Sequence, residues 1–384
     1  MSTEALRGQD RSQQYSTFDI DGDGPDPRPT AAKSIYPVST SFSDFLIPKE
    51  TGDMKVLWAI RTLVSISVVA FLCAACEVWI MVNEATIKNN LLGSVKSNGA
   101  YDIWLNFKVE LTYHSVFLVS IGFWVFIVHN AIMHQNFIQV IAVNFYNGGL
   151  FIYSILQILQ TANDLNRVRS EVTDASVASN SGYFLAAQVL LPSIIGLYFP
   201  VFAFLTYKLF QEFGWRMYRI TGGDKVITRV FTTYHILLLL LKFCAFSGTA
   251  FLVITLVLTS ITPKGIIMIP VIGGIIGLST VICGFFASRF EIRLLMALFI
   301  AGCMGIFGYI INRFVDAFKR GGSEFERAKI PFIMFGIMSE LMWLTAIVFA
   351  VICWMNFGKG LKGVLDQEHR RRKGQYVAPP HVIE

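Results

Sequence analysis

The chain has 384 residues, of which 54% are hydrophobic and only 15% charged, and it carries a net charge of +6. A soluble globular domain has about 25% charged residues, so this composition excludes that class and points to a membrane protein. The positive excess is small and sits in short clusters beside apolar segments, which excludes nucleic acid as a partner.

Residues 1–50 are polar, rich in Ser, Asp, Gly and Pro, and lack apolar periodicity, so they are expected to form a disordered cytoplasmic tail. No signal-peptide pattern opens the chain, and the first apolar segment is expected to be an uncleaved anchor. Within the tail, Asp19, Asp21, Asp23 and Gly24 match the first half of a calcium loop. The twelfth position is Thr30 instead of Glu, and Pro25, Pro27 and Pro29 prevent an exiting helix. The stretch therefore reads as solvated acid.

Apolar runs follow near 56–82, 113–133, 137–160, 183–210, 231–260, 266–288, 292–312 and 331–357. Each is long enough to cross about 30 Å of hydrocarbon as a helix. The predicted fold is an all-α polytopic transmembrane helix bundle of about eight spans over residues 51–358, followed by a basic cytoplasmic tail, 359–384. Only "HQNF" separates spans two and three, which predicts a tight hairpin. Lys and Arg are modestly more frequent in the loops on the side of the termini, which places both termini in the cytoplasm, although the 313–330 loop runs against the bias.

All six cysteines (Cys73, Cys76, Cys244, Cys283, Cys303 and Cys353) lie in apolar runs and read as helix packing. Cys73 and Cys76 have CxxC spacing without a second pair, so no metal or redox site is expected. Gly273 and Gly277 in span six, with Ala297, Ala301 and Gly305 in span seven, mark close helix approach. Pro192, Pro200 and Pro270 are expected to kink spans four and six.

Charge inside hydrocarbon is costly, by about 2.5–3.5 kcal/mol for a lysine at mid-helix. Lys242 interrupts the leucine run of span five, and Glu340 is the one acid in span eight. Their depths differ by roughly 9 Å at 1.5 Å per residue. They are expected either to face each other inside the bundle or to snorkel separately. In span three, Gln139, Asn144, Asn147, Ser154 and Gln157 fall on a stripe about 140° wide, which should face other helices as hydrogen-bonding glue or as the wall of a polar cavity. Glu77 and Arg61 in span one read as snorkelling residues near the interfaces. His114, His129, His134 and His235 lie near span ends and read as solvated or helix-bonded.

No HExxH, GxSxG or phosphate-loop pattern occurs, so no enzymatic activity, cofactor or metal is expected. Phe213, Trp215, Met217, Tyr218 and Ile220 alternate with Arg216 and Arg219, a composition suited to the cytoplasmic headgroup layer. Asp224 is placed to cap span five. In the tail, Lys359, Lys362 and the run Arg370, Arg371, Arg372 and Lys373 suit anionic lipid or a sorting protein.

Residues 213–246 carry Trp215 and Tyr218, then Gly222, Gly223 and Asp224, then Tyr234 and His235, then Leu240, Leu241, Lys242 and Phe243. This pattern resembles a fungal family of uncharacterised multi-pass Golgi apparatus membrane proteins. His235 stands where that family has glutamine and Cys244 where it has aspartate. The resemblance implies a Golgi or other endomembrane address and no assigned activity. Two functions are then open. One is a carrier or channel for a small polar solute, ion or lipid headgroup, built on the span-three stripe with Lys242 and Glu340. The other is a non-transporting organiser or sorting protein whose polar groups serve helix register. The lipid bilayer is the one certain partner, and the composition carries no sign of an oligomeric state.

Overall fold

A computed structural model describes residues 53–94, 97–171, 175–261, 267–321 and 323–372. The expected tail over residues 1–50, with its acidic stretch, lies outside the described residues. So does Lys373, and so do the side chains of Trp215, Arg216, Arg219, Arg371 and Arg372.

The described residues form nine helices and no strand: α1 (Asp53–Ser94), α2 (Ser97–Met133), α3 (Phe137–Glu171), α4 (Ala175–Thr221), α5 (Lys225–Ile261), α6 (Met268–Phe290), α7 (Arg293–Arg320), α8 (Ser323–Met355) and α9 (Leu361–Arg372). The first eight are each long and apolar enough to cross a membrane. The span-two to span-three turn is the tight hairpin that the sequence implies. Asn136 shapes it by accepting the Ile138 backbone N–H on Oδ1 at 3.0 Å, which satisfies one of the donors left free at the start of α3. Asp224 caps α5 in the same way, accepting the N–H groups of Val226 at 2.7 Å and Ile227 at 3.4 Å.

Helices α1 to α4 pack among themselves, α1 on α2 and α4, and α3 on α2 and α4. Helices α5 to α8 do likewise, with α5 against α6 and α8, and α7 against both α6 and α8. The two groups meet mainly where α2 touches α5 and α8. Aromatic rings fill this seam. Phe123 of α2 stacks on Phe246 of α5 with centroids 4.4 Å apart, and Tyr146 of α3 meets Phe123 edge-on at 5.5 Å. Trp124, Phe117, Phe202, Phe299 and Trp343 are fully buried, whereas Phe71, Phe145 and Leu197 stand at least 73% exposed on the outside. Lipid tails are as apolar as these side chains, so burying them releases no hydrophobic energy, and the bundle is held by packing and interhelical hydrogen bonds.

Glycine makes that packing close, but not at every position the spacing picks out. A Cβ on Gly273 would meet the Tyr309 ring at 2.7 Å, one on Gly284 would meet Phe299 at 2.6 Å, and one on Gly302 would meet Thr280 at 2.7 Å. These three mark the α6–α7 contact. Gly277 and Gly305 face open space instead. Pro192 and Pro200 lie inside α4 as expected. Pro270 sits in the first turn of α6, where its missing N–H has no intrahelical acceptor to lose, so it starts that helix and does not kink it.

The helix α9 gives the start of the basic tail a tertiary role. Its Leu361, Val364 and Leu365 are buried against Val230, Phe231 and Tyr234 of α5, while Arg370 is exposed. Gly284→Ala is expected to destabilise the purified protein by about 1–3 kcal/mol through overpacking against Phe299. Gly277→Ala is expected to be neutral or slightly stabilising. Thermal unfolding of the two variants in the same detergent checks both.

Candidate functional site

Lys242 lies on α5 and donates its ammonium hydrogen to Oδ1 of Asn130 on α2. Asn130 lies in the last turn of α2, which ends at Met133, a position that the polar pattern of the sequence does not single out. Among the described residues no carboxylate lies within ion-pair distance of Lys242, so the direct pairing with Glu340 is not formed. The reason is helix rotation. Gly248 of α5 faces Trp343 of α8, a Cβ there coming within 3.8 Å of the indole nitrogen. Lys242 is about 120° around α5 from Gly248 at 100° per residue, and so points to α2 and α6. Glu340 stays on α8 with both carboxyl oxygens buried and without a hydrogen-bond partner.

Lys242 opens onto a pocket of about 640 Å³. Its polar wall comes from the α2–α3 hairpin and from α5: Asn130, His134, Asn136, Gln139, Tyr234 and His235. Asn136 completes the wall by donating from Nδ2 to His235 Nδ1 at 2.9 Å, so that one small side chain both caps α3 and holds the imidazole. The apolar wall is Val281, Ile282, Phe285 and Phe286 of α6, Arg289 adds a second cation, and Leu365 of the docked α9 closes one side. Among the described residues, no aspartate or glutamate lines the space. A cavity with two fixed cations, several amides and no acid attracts an anion, and its half-exposed phenylalanines suit an alkyl chain beside it.

The span-three stripe runs inward, as the period predicts. Gln139, Asn147, Ser154 and Gln157 are buried, and Asn147 is fully so. Asn144 turns toward α4 and donates to Thr206 Oγ1 at 2.6 Å. Ser154 donates to its own helix, at the carbonyl of Phe151. Both amide atoms of Asn147 and the Oε1 atoms of Gln139 and Gln157 have no hydrogen-bond partner among the described residues. Leaving such groups unpaired costs about 1–3 kcal/mol each.

The stripe ends at a group that reading residues one at a time does not reveal. Glu77 is fully buried and accepts from Gln157 Nε2 at 3.1 Å, with His114 Nδ1 2.8 Å from the same oxygen. The other ring nitrogen of His114 lies 3.2 Å from Glu84 Oε2. Glu77 therefore does not snorkel, and His114 is not solvated: each is at most 4% exposed. A signal is present in the sequence, because Glu77 and Glu84 are two helical turns apart on one face of α1, and Glu110 and His114 are one turn apart on α2. The ring presents its two nitrogens to different carboxylates on opposite sides, so the three groups do not converge on one metal ion. No set of three His, Cys, Asp or Glu among the described residues does.

Of the other expected surfaces, Tyr218 is exposed near the turn into α5 and Arg370 is exposed on α9. Neither contributes to the pocket.

Compared with known proteins, the chain is similar to a UPF0658 Golgi apparatus membrane protein of Schizosaccharomyces pombe. The two are 24% identical over 274 residues, which cover 65% of this chain and 76% of the relative. This supports the fungal Golgi membrane family that residues 213–246 resemble. No protein-family model and no solved structure matches the chain.

Asn130→Leu is expected to destabilise the protein by about 1.5–3 kcal/mol, because it leaves the Lys242 ammonium without its acceptor. Asn130→Leu combined with Lys242→Met is expected to recover most of that loss. Equilibrium unfolding of the single and double variants in one lipid nanodisc preparation measures the difference.

Proposed function

We propose that the protein is a non-enzymatic carrier or channel of the Golgi or another endomembrane, with both termini cytoplasmic. Its cargo is a small polar solute, ion or lipid headgroup that carries negative charge. The observation behind this reading is the 640 Å³ pocket that combines Lys242 and Arg289 with amides and, among the described residues, no acid. In this reading Lys242 and Arg289 bind the anion, while Asn136, Gln139 and His235 orient it. The unpaired amide atoms of Gln139, Asn147 and Gln157 then supply a polar track across α3. Glu340 stands outside the pocket and takes no part in binding. The Golgi address rests on the similarity to the Golgi membrane protein of Schizosaccharomyces pombe and on the eight apolar helices.

The pocket faces the end of the bundle that carries α9, so in this orientation it is loaded from the cytoplasmic side. Tyr218 with Trp215, Arg216 and Arg219, and the run Arg370 to Lys373, are proposed to hold that side against anionic headgroups.

The test is flux. Purified full-length protein in liposomes is expected to move at least one anion or anionic lipid from a panel. Lys242→Gln and Arg289→Gln are each expected to lower the rate roughly tenfold or more, the equivalent of one charged hydrogen bond. Protein that stays folded and moves nothing across the panel overturns the carrier reading and leaves the membrane organiser.

A further inference from the structure

The buried group on α1, α2 and α3 has a use that packing does not supply. Glu77 lies in the second half of the span Leu57–Thr86, about 13 Å of helix from its end at 1.5 Å per residue, and is fully buried. Two carboxylates enclosed in one part of a bilayer bundle are a costly arrangement without compensating protons or cations. Here the compensation is visible. Facing lone pairs of a ring nitrogen and a carboxyl oxygen repel, so we assign a proton to each of the two His114 contacts, the hydrogen bond with Glu77 at 2.8 Å and the looser ion-pair contact with Glu84 at 3.2 Å. Either the imidazole is doubly protonated between two carboxylates, or it is neutral and one carboxyl carries the proton. Both descriptions leave the three groups with a net charge of −1. They also leave room for one more proton, since Glu77 Oε2 and Gln157 Oε1 are buried and have no partner.

We propose that Glu77, His114, Glu84 and Gln157 form a proton-binding site in the half of the bundle opposite the termini. A proton from the aqueous phase on that side adds to a carboxylate oxygen, taking the group from −1 to neutral, and leaves by the same bond when the site opens. Gln157 holds Glu77 in place and offers its free oxygen to the added proton. In one respect the proposal rests on the carrier reading, for which it names the proton as coupling ion. The placement favours coupling: α2 carries both His114 and Asn130, and α3 carries both Gln157 and Gln139, so each of these helices joins the proton site to the Lys242 pocket.

Among the described residues, no lysine or arginine lies within ion-pair distance of Glu77. The other ionisable groups around it are Cys73 and Cys76 on α1, Glu110 and Tyr113 on α2, and Tyr153 on α3, whose hydroxyl donates to the Tyr113 carbonyl at 3.0 Å. Helix α4, packed on α1 and α3, has no ionisable side chain between Gln188 and Leu197. On the flanking helices, α5 presents Ser260 to Lys108 of α2, and α8 presents Phe335 to Tyr153, with Lys329 the cation at that end of its span.

The experiment is infrared difference spectroscopy of the full-length protein in lipid, titrated with acid, alongside the flux assay. A protonated carboxyl C=O band is expected to grow on acidification, to vanish in Glu77→Gln, and to shift in Gln157→Leu. His114→Gln serves if Glu77→Gln does not fold, and is expected to change the pH at which the band appears. Absence of a titrating band in the wild-type protein, or a band unaltered in every folded variant, shows a structural cluster only and overturns the proposal. A titrating band in protein that moves no solute keeps the proton site and sinks the carrier reading. A pH-dependent flux that loses its pH dependence in Glu77→Gln supports both.

Discussion

Hydrocarbon offers no hydrogen bonds, and that single constraint organises this bundle: a charge within it must be answered by another helix. The ammonium of α5 is answered by an amide of α2, and the carboxylates of α1 are answered by an imidazole of α2 and an amide of α3. Helix α2 thus supplies a partner at each end. Because the polar contacts cross between helices, they set rotation and register, which apolar packing in lipid specifies poorly.

The two polar ends differ in character. Near the termini the pocket is cationic and amide-rich, bordered by α6 rings that face lipid and closed on one side by α9. At the other end the group is built from carboxylates and an imidazole, enclosed and without a cavity of its own among those described. The α3 amides between them are buried and incompletely bonded. A core meant only for strength has little reason to retain such groups, since replacing unsatisfied polar residues by apolar ones of similar shape is close to neutral or stabilising. The proposed anion carriage and the proposed proton binding both rest on this asymmetry.

Much of this was readable in the chain. Hydropathy is additive along a segment, so the eight spans followed from composition and length. The α3 stripe followed from the 3.6-residue period, which is why Gln139, Asn147 and Gln157 turn inward together. The hairpin at residues 134–136 followed from the shortness of the linker, and the Asp224 cap from local hydrogen-bond chemistry. Glu77 and His114 were harder, because each taken alone looks like an interfacial residue, and the short helical distances Glu77 to Glu84 and Glu110 to His114 gain meaning only when two helices are placed side by side.

By itself, then, the sequence determined that the protein is an eight-span helical membrane protein, which of its faces are polar, and where its one mid-leucine lysine falls. Tertiary structure alone decided which partner each polar group has. Close depths left Lys242 either opposite Glu340 or apart from it, because depth is a coordinate along a helix axis and pairing also needs the rotation about it. Rotation is set by packing on several neighbours at once, by glycines such as Gly284 against Phe299 and rings such as Phe123 against Phe246, and these contacts join residues far apart in the chain.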